Sequence, residues 1–125
     1  MITDLKQLQQ IAEDYISLDN LIREFKDKYI SFREEIGDKG DKWYFERWQV
    51  LEKCQLYLQF SVIDKHGHEH SEISYLPIKY LLLADDEWKN AEKIRLNDKE
   101  EEKVKADKEK YNRIVTKAAV DTIHD

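Results

Sequence analysis

Apolar residues in the first third of the chain recur at Leu8, Ile11, Tyr15, Leu18, Ile22, Phe25, Tyr29, Phe32 and Ile36, with spacings of three and four in alternation. That rhythm sets one apolar seam along a helix and predicts a long helix over residues 3–36. Thr3 is the expected cap, and Gly37 follows the last seam residue, where a left-handed C′ glycine ends many helices. Asp19-Asn20 is a weak point at which the helix is able to kink or restart. Aromatic seam residues, with Leu5, Ala12 and Leu21 beside them, widen the stripe beyond that of a two-stranded zipper. Such a stripe is expected to pack on a sheet or in a multi-helix bundle.

After a turn at residues 37–42 the period changes to two. Trp48, Val50, Cys54, Leu56, Leu58, Phe60 and Val62 fall on one face, interrupted only by Glu52. This reads as one half-buried strand over residues 48–64, long enough to bend or carry a bulge near Glu52-Lys53. Lys65-His66-Gly67-His68 supplies a hairpin turn with Gly67 at a positive-φ site. A return strand follows over residues 69–76, with Ile73 and Tyr75 on one face, and Pro77 ends it for want of an N–H. Residues 76–83 are too apolar to leave exposed and read as a connector pressed into the core.

Asp85 is placed to cap a second helix, with Asp86 and Glu87 at the positive end of its dipole. No breaker interrupts this helix before residue 123. Eleven of the fourteen residues from 97 to 110 are charged, which reads as a solvated helical face supported by pairs such as Glu101–Lys105. Apolar residues return at Tyr111, Ile114, Val115 and Ala118. A patch of that kind beyond a charged rod needs cover, and helix tails meeting in a homo-oligomer provide it, the alternative being a fold back onto the first helix. The pattern as a whole predicts a single α+β domain over residues 1–125. Its parts are a long N-terminal helix (1–36), one antiparallel β-hairpin with its connector (43–83), and a long charged C-terminal helix (85–123).

Composition sharpens this picture. Three glycines and one proline in 125 residues leave little punctuation, so long regular elements are expected. A net charge of −6 argues against a generic phosphate-binding surface, and direct nucleic-acid binding is not expected. One cysteine, Cys54, excludes an internal disulfide, and its place in an apolar pattern reads as a small buried hydrophobe. No signal-peptide pattern opens the chain, and no apolar run approaches the ~18–20 residues of a membrane span. A cytoplasmic location without membrane attachment is the expectation.

Candidate chemistry is sparse. His66-Gly67-His68-Glu69-His70 is the one run suggestive of metal, with His68 and His70 on one strand face and Glu72 or His124 as a third ligand. A solvated turn accounts for the same residues, so no metal or cofactor is expected. The serines lie in no nucleophile elbow, no glycine-rich phosphate loop exists, and no catalytic set is expected. Trp43, Tyr44, Phe45 and Trp48 cluster beside Lys42 and Arg47. Such a group fills a core, makes a protein hot spot, or stacks bases of a single strand.

The run Tyr75-Leu76-Pro77-Ile78-Lys79-Tyr80-Leu81-Leu82-Leu83-Ala84-Asp85-Asp86-Glu87-Trp88 resembles a stretch of small uncharacterised bacteriophage and prophage proteins, the likeness extending over about residues 75–100. There a strand feeds a Pro-x-x-Tyr-Leu segment, an acidic cap with Glu-Trp, and a charged helix. The resemblance implies a phage setting, hence host takeover or counter-defence, and assigns no catalytic residue. The functional expectation is a non-enzymatic protein–protein interaction module, an oligomeric inhibitor or regulator of a host protein. Its expected interface combines Trp43, Tyr44, Phe45 and Trp48 with Tyr111, Ile114, Val115 and Ala118. Two alternatives are an acidic nucleic-acid mimic blocking a DNA- or RNA-binding enzyme, and a metal-dependent hydrolase at the His turn.

Overall fold

The continuous seam and the period-two run build an α+β fold, seen in a computed structural model that describes residues 1–100. The chain divides into two units, Met1–Leu83 and Ala84–Asp125. The first holds helix α1 (Leu5–Ile36) and an antiparallel sheet in the order β1 (Lys42–Leu51), β2 (Gln55–Ile63), β3 (Glu69–Pro77). A 3-10 turn, Ile78–Leu82, closes it.

α1 runs unbroken through Asp19-Asn20. Asp19 instead accepts with its carboxylate from Arg23 Nε on the next turn and from Trp48 Nε1 on the sheet, at 2.9 and 2.7 Å. The cap is Asp4 rather than Thr3: its Oδ1 accepts from the Gln7 amide at 2.9 Å, which satisfies one orphan donor of the first turn. Gly37 is not left-handed but extended (φ −86°, ψ −166°). Glycine is demanded there by close approach, because a Cβ would stand 2.8 Å from the Arg33 carbonyl oxygen.

The strand expected over residues 48–64 is two strands. The chain reverses at Glu52–Cys54, where Lys53 (φ 61°) and Cys54 (φ 54°) adopt left-handed backbone, and Cys54 is exposed rather than buried. Residues 43–47, expected to lie ahead of that strand, belong to the body of β1. A bulge between Phe45 and Arg47 leaves Glu46 as the extra residue, pairing Phe45 with Phe60 and Arg47 with Gln59. The bulge inverts the parity of the strand. Trp43 and Phe45 precede it and Trp48 and Val50 follow it, yet all four oppose the even-numbered residues of β2, namely Val62, Phe60, Leu58 and Leu56.

Those β2 residues are buried, and the second half of the α1 seam covers them: Ile22, Phe25, Tyr29 and Phe32 are each at most 6% exposed. Phe60 is the hub, with its ring 5.6 Å from Tyr29, 5.4 Å from Trp43 and 5.8 Å from Phe45. Contacts at these separations add to the area burial of each ring. A buried polar contact crosses the core, Tyr29 Oη to Ser74 Oγ at 2.9 Å, and Arg33 donates to the same phenol oxygen at 3.0 Å.

The hairpin between β2 and β3 turns as expected at Gly67 (φ 83°). Asp64 organises it, its carboxylate accepting from the amides of His66 and His68 at 2.8 and 2.9 Å. Ile73 and Tyr75 do share a face, but it is the face turned away from α1, as their partners Gln59 and Tyr57 show. In the connector Tyr80 is buried while Leu82 is 86% exposed, against the expectation that the whole run is covered.

In the second unit the described residues 85–100 form helix α2. Ala84 takes the cap position, its carbonyl accepting from the Glu87 and Trp88 amides, both at 3.1 Å. Asp85 is therefore the first helical residue, and its side chain accepts from the Trp88 indole at 3.2 Å. Glu92 is fully buried and held by Arg95 through two bonds, 2.5 and 2.7 Å. Such charge-assisted pairing is what burial of a carboxylate requires. The remainder of the helix expected to residue 123 lies outside the described residues.

Candidate interaction surfaces

α1 is longer than the sheet it covers. Its 32 residues rise to about 48 Å at 1.5 Å each, whereas a nine-residue strand spans about 30 Å. The difference corresponds to about twelve helical residues, and exposure is greatest at the N-terminal end. Leu5, Leu8, Ile11, Tyr15 and Ile16 are 67, 54, 48, 60 and 58% exposed. Tyr15 still touches the sheet, its ring stacking on Trp48 at 5.3 Å. N-terminal to it Leu5, Leu8 and Ile11 are about half exposed or more, and Met1, Ile2, Gln7, Gln10 and Ile11 line a shallow recess beside them.

Asp19 marks the border between covered and bare helix. Its carboxyl is held below the ordinary carboxylate value by the Arg23 hydrogen bond first and the Trp48 indole second. Asp64 is likewise lowered, mainly by the His68 amide. Neither stands in a catalytic arrangement: each has its charge spent on a helix pair or a turn.

The face of the sheet turned from α1 is the second exposed surface. Tyr57 and Tyr75 meet edge to face at 5.6 Å, and Gln59 Oε1 accepts from both Arg47 Nε (2.7 Å) and the Tyr57 hydroxyl (3.2 Å). Tyr44 is 52% and Tyr75 39% exposed here. This face is a tied polar–aromatic ladder, unlike the aliphatic seam of α1.

The aromatic group expected as one interface is divided by its strand. Trp43 is buried, Phe45 and Trp48 are half-buried on the α1 side, and Tyr44 alone emerges on the opposite face. Alternation sets Tyr44 against Trp43 and Phe45, and the bulge at Glu46 brings Trp48 to their side, so these four residues do not make one surface. Tyr111, Ile114, Val115, Ala118 and His124 lie outside the described residues. At the turn, His68 approaches Asp64 (3.5 Å) while His70 pairs with Glu72 (3.2 Å), and no group of three or more metal-ligating side chains is brought together among the described residues. No helix among them is long and apolar enough to cross a membrane.

The bare half of α1 is the surface that periodicity alone missed. The seam itself was visible, but periodicity gives a face and not a partner, so all nine positions read as buried. Comparing helix length with strand length is the signal that would have separated them. Comparisons with protein-family models, curated proteins and solved structures find no match.

Proposed function

We propose that this chain is a non-enzymatic protein–protein interaction module, working through the exposed N-terminal half of α1. The observation that supports this reading is the row of large aliphatic and aromatic side chains from Leu5 to Ile16, each about half exposed or more. A cluster of several such residues on one helix is the kind of exposed apolar patch that marks interaction sites on soluble proteins. Its 3-4 spacing selects the occupant as another helix carrying an apolar stripe. In the phage setting implied by the resemblance at residues 75–88, a module of this kind acts as an oligomeric inhibitor or regulator of a host protein in the cytoplasm.

The double substitution Leu8→Glu/Ile11→Glu tests the surface. Both side chains lie on the overhang, so the variant should keep the melting transition of the parent. Parent and variant are compared side by side for self-association and for capture from bacterial extract. Species held by the parent and lost from the folded variant support the reading. Identical behaviour of the two proteins in both assays removes the seam as the working surface.

A further inference from the structure

Resting on that reading, we infer that the helix taken by the exposed face of α1 is a basic one, an amphipathic helix of a partner protein with lysine or arginine flanking its apolar stripe. The distribution of charge along α1 carries this.

The two halves of α1 differ in charge as they do in exposure. Residues 4–20 hold four carboxylates, Asp4, Glu13, Asp14 and Asp19, against Lys6 alone, a net of −3. Residues 21–36 hold four cations and four carboxylates, a net of zero. Half of the chain's −6 is therefore gathered where the large apolar side chains of α1 are most exposed.

Helical phase sets these carboxylates around the apolar stripe. At about 100° per residue Asp4 and Asp19 fall in line with Leu8 and Tyr15, one beyond each end of the exposed run, and Asp14 borders it next to Ile11. Lys6 and Glu13 fall on the opposite side. Asp14 accepts from the Gln10 amide at 2.9 Å and Asp4 from the Gln7 backbone N–H, both neutral donors. Among the described residues only Asp19 of the three has a cation in ion-pair contact, Arg23 at 2.9 Å. The stripe is thus framed by carboxylates, two of them without a cation.

That frame discriminates among occupants. A helix with acidic flanks, a second copy of this segment included, brings like charge to like, and an anionic membrane surface is repelled in the same way. Lysine or arginine beside the partner's stripe turns the same contacts into attraction. The exposed side chains from Leu5 to Tyr15 are few, so apolar burial supplies a modest share and the charges supply orientation and selectivity. For an isolated helix the expected dissociation constant is roughly 10–100 µM, a weak and exchanging contact.

The test uses the full chain and two fluorescent peptides of about 20 residues, long enough to hold a helix. Both carry the same leucine stripe at 3-4 spacing; one has lysine at the flanking positions, the other glutamate. Fluorescence anisotropy at ~50 mM salt should show the lysine peptide bound at least ~10-fold more tightly, with the preference shrinking at ~500 mM salt. Gln7→Lys/Asp14→Lys, which makes one border of the stripe basic, should reverse the preference. Leu8→Ser/Ile11→Ser, which keeps every carboxylate, should weaken binding of the lysine peptide at least ~10-fold. If that variant binds it as the parent does, charge alone holds the peptide and the inference falls. Equal affinity for both peptides, or binding of neither at ~200 µM, overturns it too, and the capture assay then decides by itself whether the seam works at all. Parent chains that self-associate through Leu8 and Ile11 in preference to the lysine peptide give the face to a second copy. A lysine peptide that binds only after Lys110→Glu/Arg113→Glu/Lys117→Glu gives it to the chain's own basic stretch, and either result discards the outside partner.

Discussion

Removing one oxygen from Tyr29 tests how α1 is seated on the sheet. Tyr29 is fully buried and Ser74 is 2% exposed, so neither hydroxyl has water to fall back on. In Tyr29→Phe the Ser74 hydroxyl loses its partner at 2.9 Å, and Arg33 loses an acceptor at 3.0 Å. An orphaned buried hydroxyl costs about 1–3 kcal/mol, and the half-exposed guanidinium adds little because solvent replaces its partner. The expected loss is therefore about 2 kcal/mol. Ser74→Ala leaves the phenol still bonded to Arg33, and about 1 kcal/mol is expected. With both groups removed no orphan remains, so the double variant should lose less than the sum of the singles by about 1 kcal/mol. Urea denaturation of the four proteins, followed by far-UV circular dichroism, reads these differences as midpoint shifts at constant slope. A loss below about 0.5 kcal/mol for Tyr29→Phe, or strict additivity in the cycle, would show that the two hydroxyls do not meet. The seating of α1 described above would then be wrong.

Three further outcomes follow from local geometry. Cys54→Gly relieves a left-handed residue (φ 54°) and should raise stability by about 0.5–1 kcal/mol in the same denaturation assay; an unchanged or lower midpoint contradicts the turn. Gly40→Ala places a Cβ 2.9 Å from the Lys65 Cβ at φ 97°, whereas Gly67→Ala at φ 83° meets open space. Both should destabilise, Gly40→Ala more by about 1 kcal/mol or greater, and a reversed order in thermal melts refutes the packing of the two loops. Asp19 has its folded-state pKa lowered by Arg23 and then Trp48, so its contribution is complete above the ordinary value of 3.8 and is lost as pH falls through the lower folded value. Asp19→Asn should therefore flatten the acid limb of stability below pH 4 in tryptophan fluorescence, Asp64 keeping the rest; superimposable acid titrations would exclude this role.

Local chemistry alone determined several elements of this chain. The 3-4 seam dictates α1 because a helix turns every 3.6 residues, and the hairpin at Gly67 follows from a glycine free to take positive φ between two alternating runs. The acidic start of α2 was legible for the same reason, within one residue of its cap. Tertiary structure decided the rest. Glu52-Lys53-Cys54 contains no glycine, proline, asparagine or aspartate to announce a reversal, and two left-handed residues there cost about 2–4 kcal/mol by themselves. Only the pairing of β1 along the whole of β2 offsets that strain, and pairing is invisible in a local window. The Glu46 bulge likewise exists because Trp43, Phe45 and Trp48 all find cover beneath α1, which alternation by itself forbids. Which half of the α1 seam is buried depends on a mismatch of lengths between two elements. A helix rises 1.5 Å per residue and a strand about 3.3 Å, so the strands are too short to match α1 over its length, and the exposed residues gather toward its N-terminal end beyond the Tyr15–Trp48 stack.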